Sequence, residues 1–320
     1  MKYIEYINNL IKEQIKTQKK IVLFGQNINA GSCLGGLTRG LEIDKSSKII
    51  NSTNAENSLC GFGFGLMISD TSSIFFMKQL DFLLLGIDHL VNTYNIIRSA
   101  GLGKHASFTI FPIIVDNGFQ GPQSSLNNFA EFCSISRIPG YSISNKIDAD
   151  EIIKSKLIEP GFRIITVSQR LFHKDIFEPK QILFVNDEKT VFQYKKGNQL
   201  TIISFNFTFP QAIELTSEFE KNGIDVSLFN VNSPIETNWK KIYEDVENTK
   251  NIIILDDSKS LNIAANTLMS NIIQKIELNS KLILKKEIDH NWLTPNDDEM
   301  KINYKELVIE WKNTLKKKSV

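Results

Sequence analysis

Few side chains in this 320-residue sequence have the type and spacing that chemistry needs. Glu56 opens the run Glu-Asn-Ser-Leu-Cys-Gly-Phe-Gly-Phe-Gly-Leu-Met, and Leu59–Met67 carries no charge that could pair with it. A carboxyl in apolar surroundings holds its proton more tightly, which suits it to sharing a proton with a ligand. Its plainer use is as the first-turn acid of a helix that begins after Asn54. Gly61, Gly63 and Gly65 lie inside the same run. Each costs ~1 kcal/mol in a helix, so they point to close backbone packing or close approach of a ligand. Further on, Gly118–Asn127 reads Gly-Phe-Gln-Gly-Pro-Gln-Ser-Ser-Leu-Asn. Its Gln123, Ser124 and Asn127 are able to hydrogen-bond a hydroxylated substrate, or equally to cap the helix that follows.

Other chemistries are poorly supplied. Cys33, Cys60 and Cys133 are far apart, with no Cys-x-x-Cys spacing for a thiolate zinc site and no disulfide framework. The four histidines, His89, His105, His173 and His290, are scattered. No GxxxxGK[ST] loop, HExxH or EF-hand loop occurs, and the glycines at 31–36 and 61–65 lack the strand context of a dinucleotide fingerprint. With 37 Lys+Arg against 36 Asp+Glu, the net charge of +1 gives no field for nucleic acid or an anionic membrane. The N-terminal segment places Ile4, Ile7, Ile11 and Ile15 at helical spacing and has no apolar signal core. Uncharged apolar runs such as Asn57–Ser69 and His105–Val115 fall short of the ~20 residues that a spanning helix needs. A cytoplasmic location and no membrane partner are expected.

The elements that must position these residues alternate. Short apolar runs read as strands at Ile21–Asn27, Lys48–Ser52, Ser73–Met77, Phe108–Val115 and Gly161–Val167. Between them, helices are expected at Asn57–Met67, Leu80–Ile97 and Leu126–Ser136. The pattern restarts with strands at Leu200–Phe205, Asp225–Asn230 and Asn251–Leu255, and helices at Pro210–Asn222, Trp239–Glu247 and Ser260–Ile273. Phe172–Gln199 reads as the connection, with a short strand at Ile182–Val185, and the chain closes on a helix with a basic tail. Strands alternating with helices predict an α/β fold of two domains, residues 1–180 and 181–320, each a mostly parallel sheet covered by helices.

Order and spacing over roughly residues 1–275 resemble one family. Phe-Gly-Gln-Asn-Ile, then the glycine-rich loop, then Ala55-Glu56-Asn57, then Phe82 and Asp88-His89-Leu90-Val91-Asn92 follow the pattern of the β subunit of the 2-oxo acid dehydrogenase first component. They are equally similar to the pyrimidine-binding half of transketolases. Ser168-Gln169-Arg170-Leu171-Phe172 resembles the element that closes that family's first domain. The second half fits its C-terminal domain.

The resemblance implies thiamine diphosphate as cofactor, with Mg²⁺ held mainly by another chain. It makes Glu56 the carboxylate that hydrogen-bonds the pyrimidine and drives its tautomerisation. Phe82 stacks on that ring and Asn57 lies beside it. No Gly-Asp-Gly occurs in this sequence. The implied partner is therefore an α-type, diphosphate-binding subunit carrying that motif, in an α2β2 assembly, with no metal ligand from this chain. The implied reaction makes or breaks a C–C bond next to a carbonyl of a 2-oxo acid or ketose-type substrate. Decarboxylation feeding a lipoyl protein, or a silent scaffold role, are the alternatives. Two departures bear on the substrate. The loop at Gly118–Asn127 keeps a Gly-Pro but has no histidine, and Gln26-Asn27 replaces an acidic pair. Gln79 and Leu85 stand where transketolases add aromatic residues.

Overall fold

The chain folds around two six-stranded sheets, and a computed structural model describes residues 1–118, 121, 127–260, 263–286 and 299–318. The first sheet is built from β1 (Ile21–Gly25), β2 (Lys48–Asn51), β3 (Ser72–Met77), β4 (Ser107–Ile114), β5 (Gly140–Ser142) and β6 (Gly161–Ser168). Its order is β2-β1-β3-β4-β6-β5, and every pairing is parallel. All eight positions of β4 are buried, as a central parallel strand covered on both faces requires.

Helices cover this sheet: α1 (Tyr3–Lys16), α2 (Glu56–Ile68), α3 (Tyr94–Ser99), α4 (Phe129–Ser136) and α5 (Lys146–Lys156). The isoleucine stripe of α1 is buried against its own domain. No helix among the described residues is long and apolar enough to cross a membrane.

The second sheet comprises β7 (Phe184–Val185), β8 (Val191–Lys195), β9 (Leu200–Phe205), β10 (Val226–Val231), β11 (Asn251–Asp256) and β12 (Ser280–Lys285), in the order β12-β11-β9-β10-β8-β7. Only the β10–β8 and β8–β7 pairings are antiparallel. Its helices are α6 (Phe209–Lys221), α7 (Lys240–Thr249), α8 (Ala264–Ile273) and α9 (Tyr304–Lys318). Two α/β domains with mostly parallel sheets are therefore present. One hydrophobic core runs from the first sheet onto one face of the second, and a separate core lies on the other face.

One expected element is not continuous. The helix read over Leu80–Ile97 divides into a 3₁₀ segment at Leu80–Gly86, a π turn at His89–Thr93 and then α3. The cause is close packing: a Cβ on Gly86 would stand 2.5 Å from Cys60 Sγ, so the segment bends across the start of α2. Four elements escaped the sequence reading. β5 has only three residues, α5 is rich in charge, and β8 and β12 lie in polar stretches.

Candidate active site

The first sheet has a topological switch point. From β1 the chain moves to one side for β2 and returns to the other side for β3, leaving a crevice at the carboxyl ends of β1 and β3. Gly25 ends β1 with φ +146°, and a Cβ there would lie 2.1 Å from the Phe76 carbonyl oxygen. Only glycine lets the chain turn so close to β3 and deliver Gln26 to the crevice. Gln26, Glu56, Leu59, Met77, Gln79 and Phe82 are among the residues lining the resulting narrow cleft.

Glu56 is the first residue of α2, where the helix dipole favours an acid. Both Glu56 and Phe82 are half-buried. Two close approaches bring their segments together. Gly86 lets the 3₁₀ segment lie on Cys60 and near the Glu56 carbonyl, while Gly63 lets α2 lie on β4, since a Cβ there would come 2.2 Å from the Phe108 ring. Gly61 faces the His89 ring, and Gly65 has nothing within 4 Å. Packing thus explains two of the three glycines. Asn57 is exposed and is not among the cleft-lining residues.

Lys78 and Gln79 also line a neighbouring cleft, bounded by Ser32, Gly35, Asn117, Gln169, Phe172 and His173. Gln26 lines the first cleft and Gln79 lines both, while Leu85 is 63% exposed and lines neither. Asp81, beside Phe82, carried no sequence signal. It is 5% exposed, and neither carboxylate oxygen meets a hydrogen-bond partner among the described residues. Burial pushes this carboxyl up to about 7, opposed by its own backbone amide and by Lys259 of the second domain.

Gln123, Ser124 and His290 lie outside the described residues. Asn127 is buried and its Oδ1 accepts from the Phe129 amide at 3.4 Å, a turn just before α4, whose N-cap is Asn128 and has no side-chain cap bond. The Asn127 carbonyl accepts from Ser258 Oγ at 3.1 Å and Ser260 Oγ at 3.3 Å. His89 pairs with Thr93 Oγ1 at 2.9 Å and His105 is exposed, so neither reaches a cleft, whereas the exposed His173 lines the second one. Among the described residues, no group of three or more His, Cys, Asp or Glu is arranged to hold a metal ion.

No protein-family model matches the sequence. Over 263 residues, 79% of this chain, it is 20% identical to the pyruvate dehydrogenase E1 component subunit beta of Rhizobium meliloti, of which the match covers 55%. The subunit of the same name from Staphylococcus epidermidis is 18% identical over 81% of this chain and 80% of its own length. The chain thus spans little more than half of the first relative and four fifths of the second. Among solved structures, a split-gene transketolase described as an inactive β4 tetramer matches with a TM-score of 0.66, at 12% identity, over 98% of this chain and 97% of that one. The transketolase of Campylobacter jejuni matches with a TM-score of 0.65, at 9% identity, over 89% of this chain and 42% of its own. At these identities the structural matches speak to the fold. With the collinear sequence elements and a cleft at the switch point, they show a chain similar in sequence to pyruvate dehydrogenase E1 beta subunits that has the two-domain α/β fold of transketolases.

Proposed function

We propose that the chain is the pyrimidine-side subunit of a two-chain thiamine diphosphate enzyme that makes or breaks a C–C bond next to a carbonyl. The observation that carries this reading is the meeting of Glu56 and Phe82 in one cleft at the switch point, although 26 residues (82 − 56) separate them in sequence. The side chains lining the cleft have the chemistry that recognises a flat heteroaromatic ring. It offers one half-buried carboxylate, one half-buried aromatic side chain, and Leu59 and Met77 as apolar neighbours. Bound thiamine diphosphate supplies a nucleophilic thiazolium carbon, the hard part of the chemistry. In this reading Glu56 holds a proton against a ring nitrogen, Phe82 offers its face to the ring, and Leu59 and Met77 flank it.

The sequence has no Gly-Asp-Gly, so the diphosphate and Mg²⁺ fall to an α-type partner, and an α2β2 assembly follows from the family. The substrate is a small 2-oxo acid or ketose-type compound. Fold likeness and the loop that lacks histidine favour ketol or acyl transfer. A second reading, a 2-oxo acid dehydrogenase subunit feeding a lipoyl protein, is favoured by the sequence relatives named above. Co-expression with a chain carrying Gly-Asp-Gly is the test. The expected result is a stable complex that binds thiamine diphosphate only when both chains are present. Reduction of a lipoyl acceptor would select the second reading. A chain that stays alone, or a complex whose activity is indifferent to Glu56→Gln, would leave only a scaffold role.

A further inference from the structure

The second sheet also has a switch point, between β9 and β11, and the first domain fills it. The Arg170 side chain, 7% exposed, leaves the end of β6 and reaches the carboxyl ends of those two strands. Its Nη2 donates to the Phe207 carbonyl at 3.2 Å and pairs with the Asp257 carboxylate, while Nη1 lies 3.1 Å from Asp116 Oδ2 at the end of β4. Crevices at switch points are where doubly wound sheets take ligands. Here the occupant is a guanidinium from the neighbouring domain.

We propose that the segment Asp256–Ser260 is a clamp on the first domain's site, and that Arg170 is a positioning residue through which it holds the wall of the second cleft. Asp116 accepts from the Ser168 hydroxyl at 2.6 Å and from the Arg170 amide at 3.0 Å, which folds the turn after β6 onto the end of β4. The wall residues flank these anchors: Asn117 follows Asp116, and Gln169 and Phe172 bracket Arg170. The Phe172 ring in turn sits 3.1 Å from where a Cβ on Gly35 would stand, so the glycine-rich loop rests on the same wall. The other end of the clamp holds Asn127, whose carbonyl also takes the Lys259 amide at 3.3 Å. Asp256 stiffens the clamp by accepting from Asn206 Nδ2 at 2.7 Å, the Ser258 amide at 3.0 Å and the Ala265 amide at 3.2 Å.

Such a buried ion group contributes little net stability, yet breaking it on one side is costly, so its best use is to fix geometry. Among the described residues, further charges near Arg170 are Glu299, 3.9 Å from Nε, and Lys174, which pairs with Glu299; both are largely exposed. The clamp holds this wall whichever cofactor the first cleft takes.

Hydrogen exchange on the full chain tests it with Arg170→Met, Arg170→Lys and Asp257→Asn. Arg170→Met is expected to speed exchange at least about tenfold over residues 168–173 and 31–36 while α2 and the strands of both sheets stay protected. Asp257→Asn, in the other domain, is expected to loosen the same wall, and Arg170→Lys to restore part of the protection. Unchanged exchange at the wall in Arg170→Met and Asp257→Asn overturns the proposal. So does uniform acceleration through both sheets, which would mark general loss of stability. If Arg170→Met does not fold, Asp257→Asn decides alone.

Discussion

Glu56 and Phe82 owe their proposed roles to position rather than to unusual chemistry, since each is half-buried at one cleft. Glu56→Gln keeps the size but removes the carboxylate, and the expected loss in the reconstituted two-chain enzyme is about 10²–10⁴-fold in kcat, the span of general acid–base effects. Phe82→Ala is expected to weaken cofactor binding by about tenfold with a smaller change in kcat, because stacking contributes mainly to binding; titration of cofactor against activity separates the two. Asp81 is the residue of interest for stability. Its folded carboxyl, raised to about 7 by burial, binds a proton more tightly than in the unfolded chain. Its contribution is therefore intact below about pH 4, the unfolded value, and is lost as the pH rises through about 7. Asp81→Asn cannot ionise. It is expected to exceed the wild type in stability by on the order of 1–3 kcal/mol near pH 8 and to match it near pH 4. Urea unfolding at both pH values measures this, and equal differences at the two would contradict the assignment.

Helix α2 shows what packing asks of an element. Its glycines weaken it as an isolated helix, yet Gly63 meets the Phe108 ring and Gly65 meets nothing. The two therefore respond oppositely to the same change. Gly63→Ala forces a methyl into a filled core and is expected to destabilise by about 1–3 kcal/mol or more. Gly65→Ala is expected to stabilise by about 0.5–1 kcal/mol through helix propensity. Chemical denaturation midpoints of the pair distinguish close packing from a general intolerance of the helix. The 3₁₀ segment at Leu80–Gly86 shows the limit of periodicity as a guide: its apolar spacing suits a helix, but the turn geometry is set by Cys60, 26 residues (86 − 60) earlier in the chain. That constraint has no local sequence signature.

The two domains are joined by more than the connecting chain. Asp148 of α5 is fully buried and accepts from Ser144 Oγ at 2.8 Å, from Asn230 Nδ2 of β10 at 2.7 Å, and from the Tyr194 hydroxyl of β8. Beside it, the Ser142 amide donates to the Asn232 carbonyl at 2.9 Å, and Asn232 Nδ2 returns a bond to the Ser142 carbonyl at 2.8 Å. With an apolar core that also crosses the boundary, the domains are expected to unfold together in a single transition. Asp148→Ala removes an acceptor shared by three buried donors, of which Asn230 and Tyr194 keep Asn232 Oδ1 and Asn145 Oδ1, and a loss of about 1–3 kcal/mol is expected. Denaturation followed separately by tryptophan fluorescence and by far-ultraviolet dichroism tests both points: coincident curves support joint unfolding, and separated ones oppose it.

The sequence by itself determined the alternation of strands and helices, and hence the α/β class. It also determined the order of Ala55-Glu56-Asn57, Phe82 and the Asp88–Asn92 element, on which the family resemblance rests. These are local or collinear properties, readable along one chain. Only the tertiary structure decided that Gln26, Glu56, Gln79 and Phe82 share a cleft, because strand order, not spacing, brings the ends of β1 and β3 together. It alone separated Asn57, exposed beyond the cleft, from Glu56. It also revealed Asp81 as a buried carboxyl and Arg170 as the link between domains. Burial and ion pairing depend on what other segments place around a side chain, and a charged residue in a sequence carries no mark of whether water will reach it.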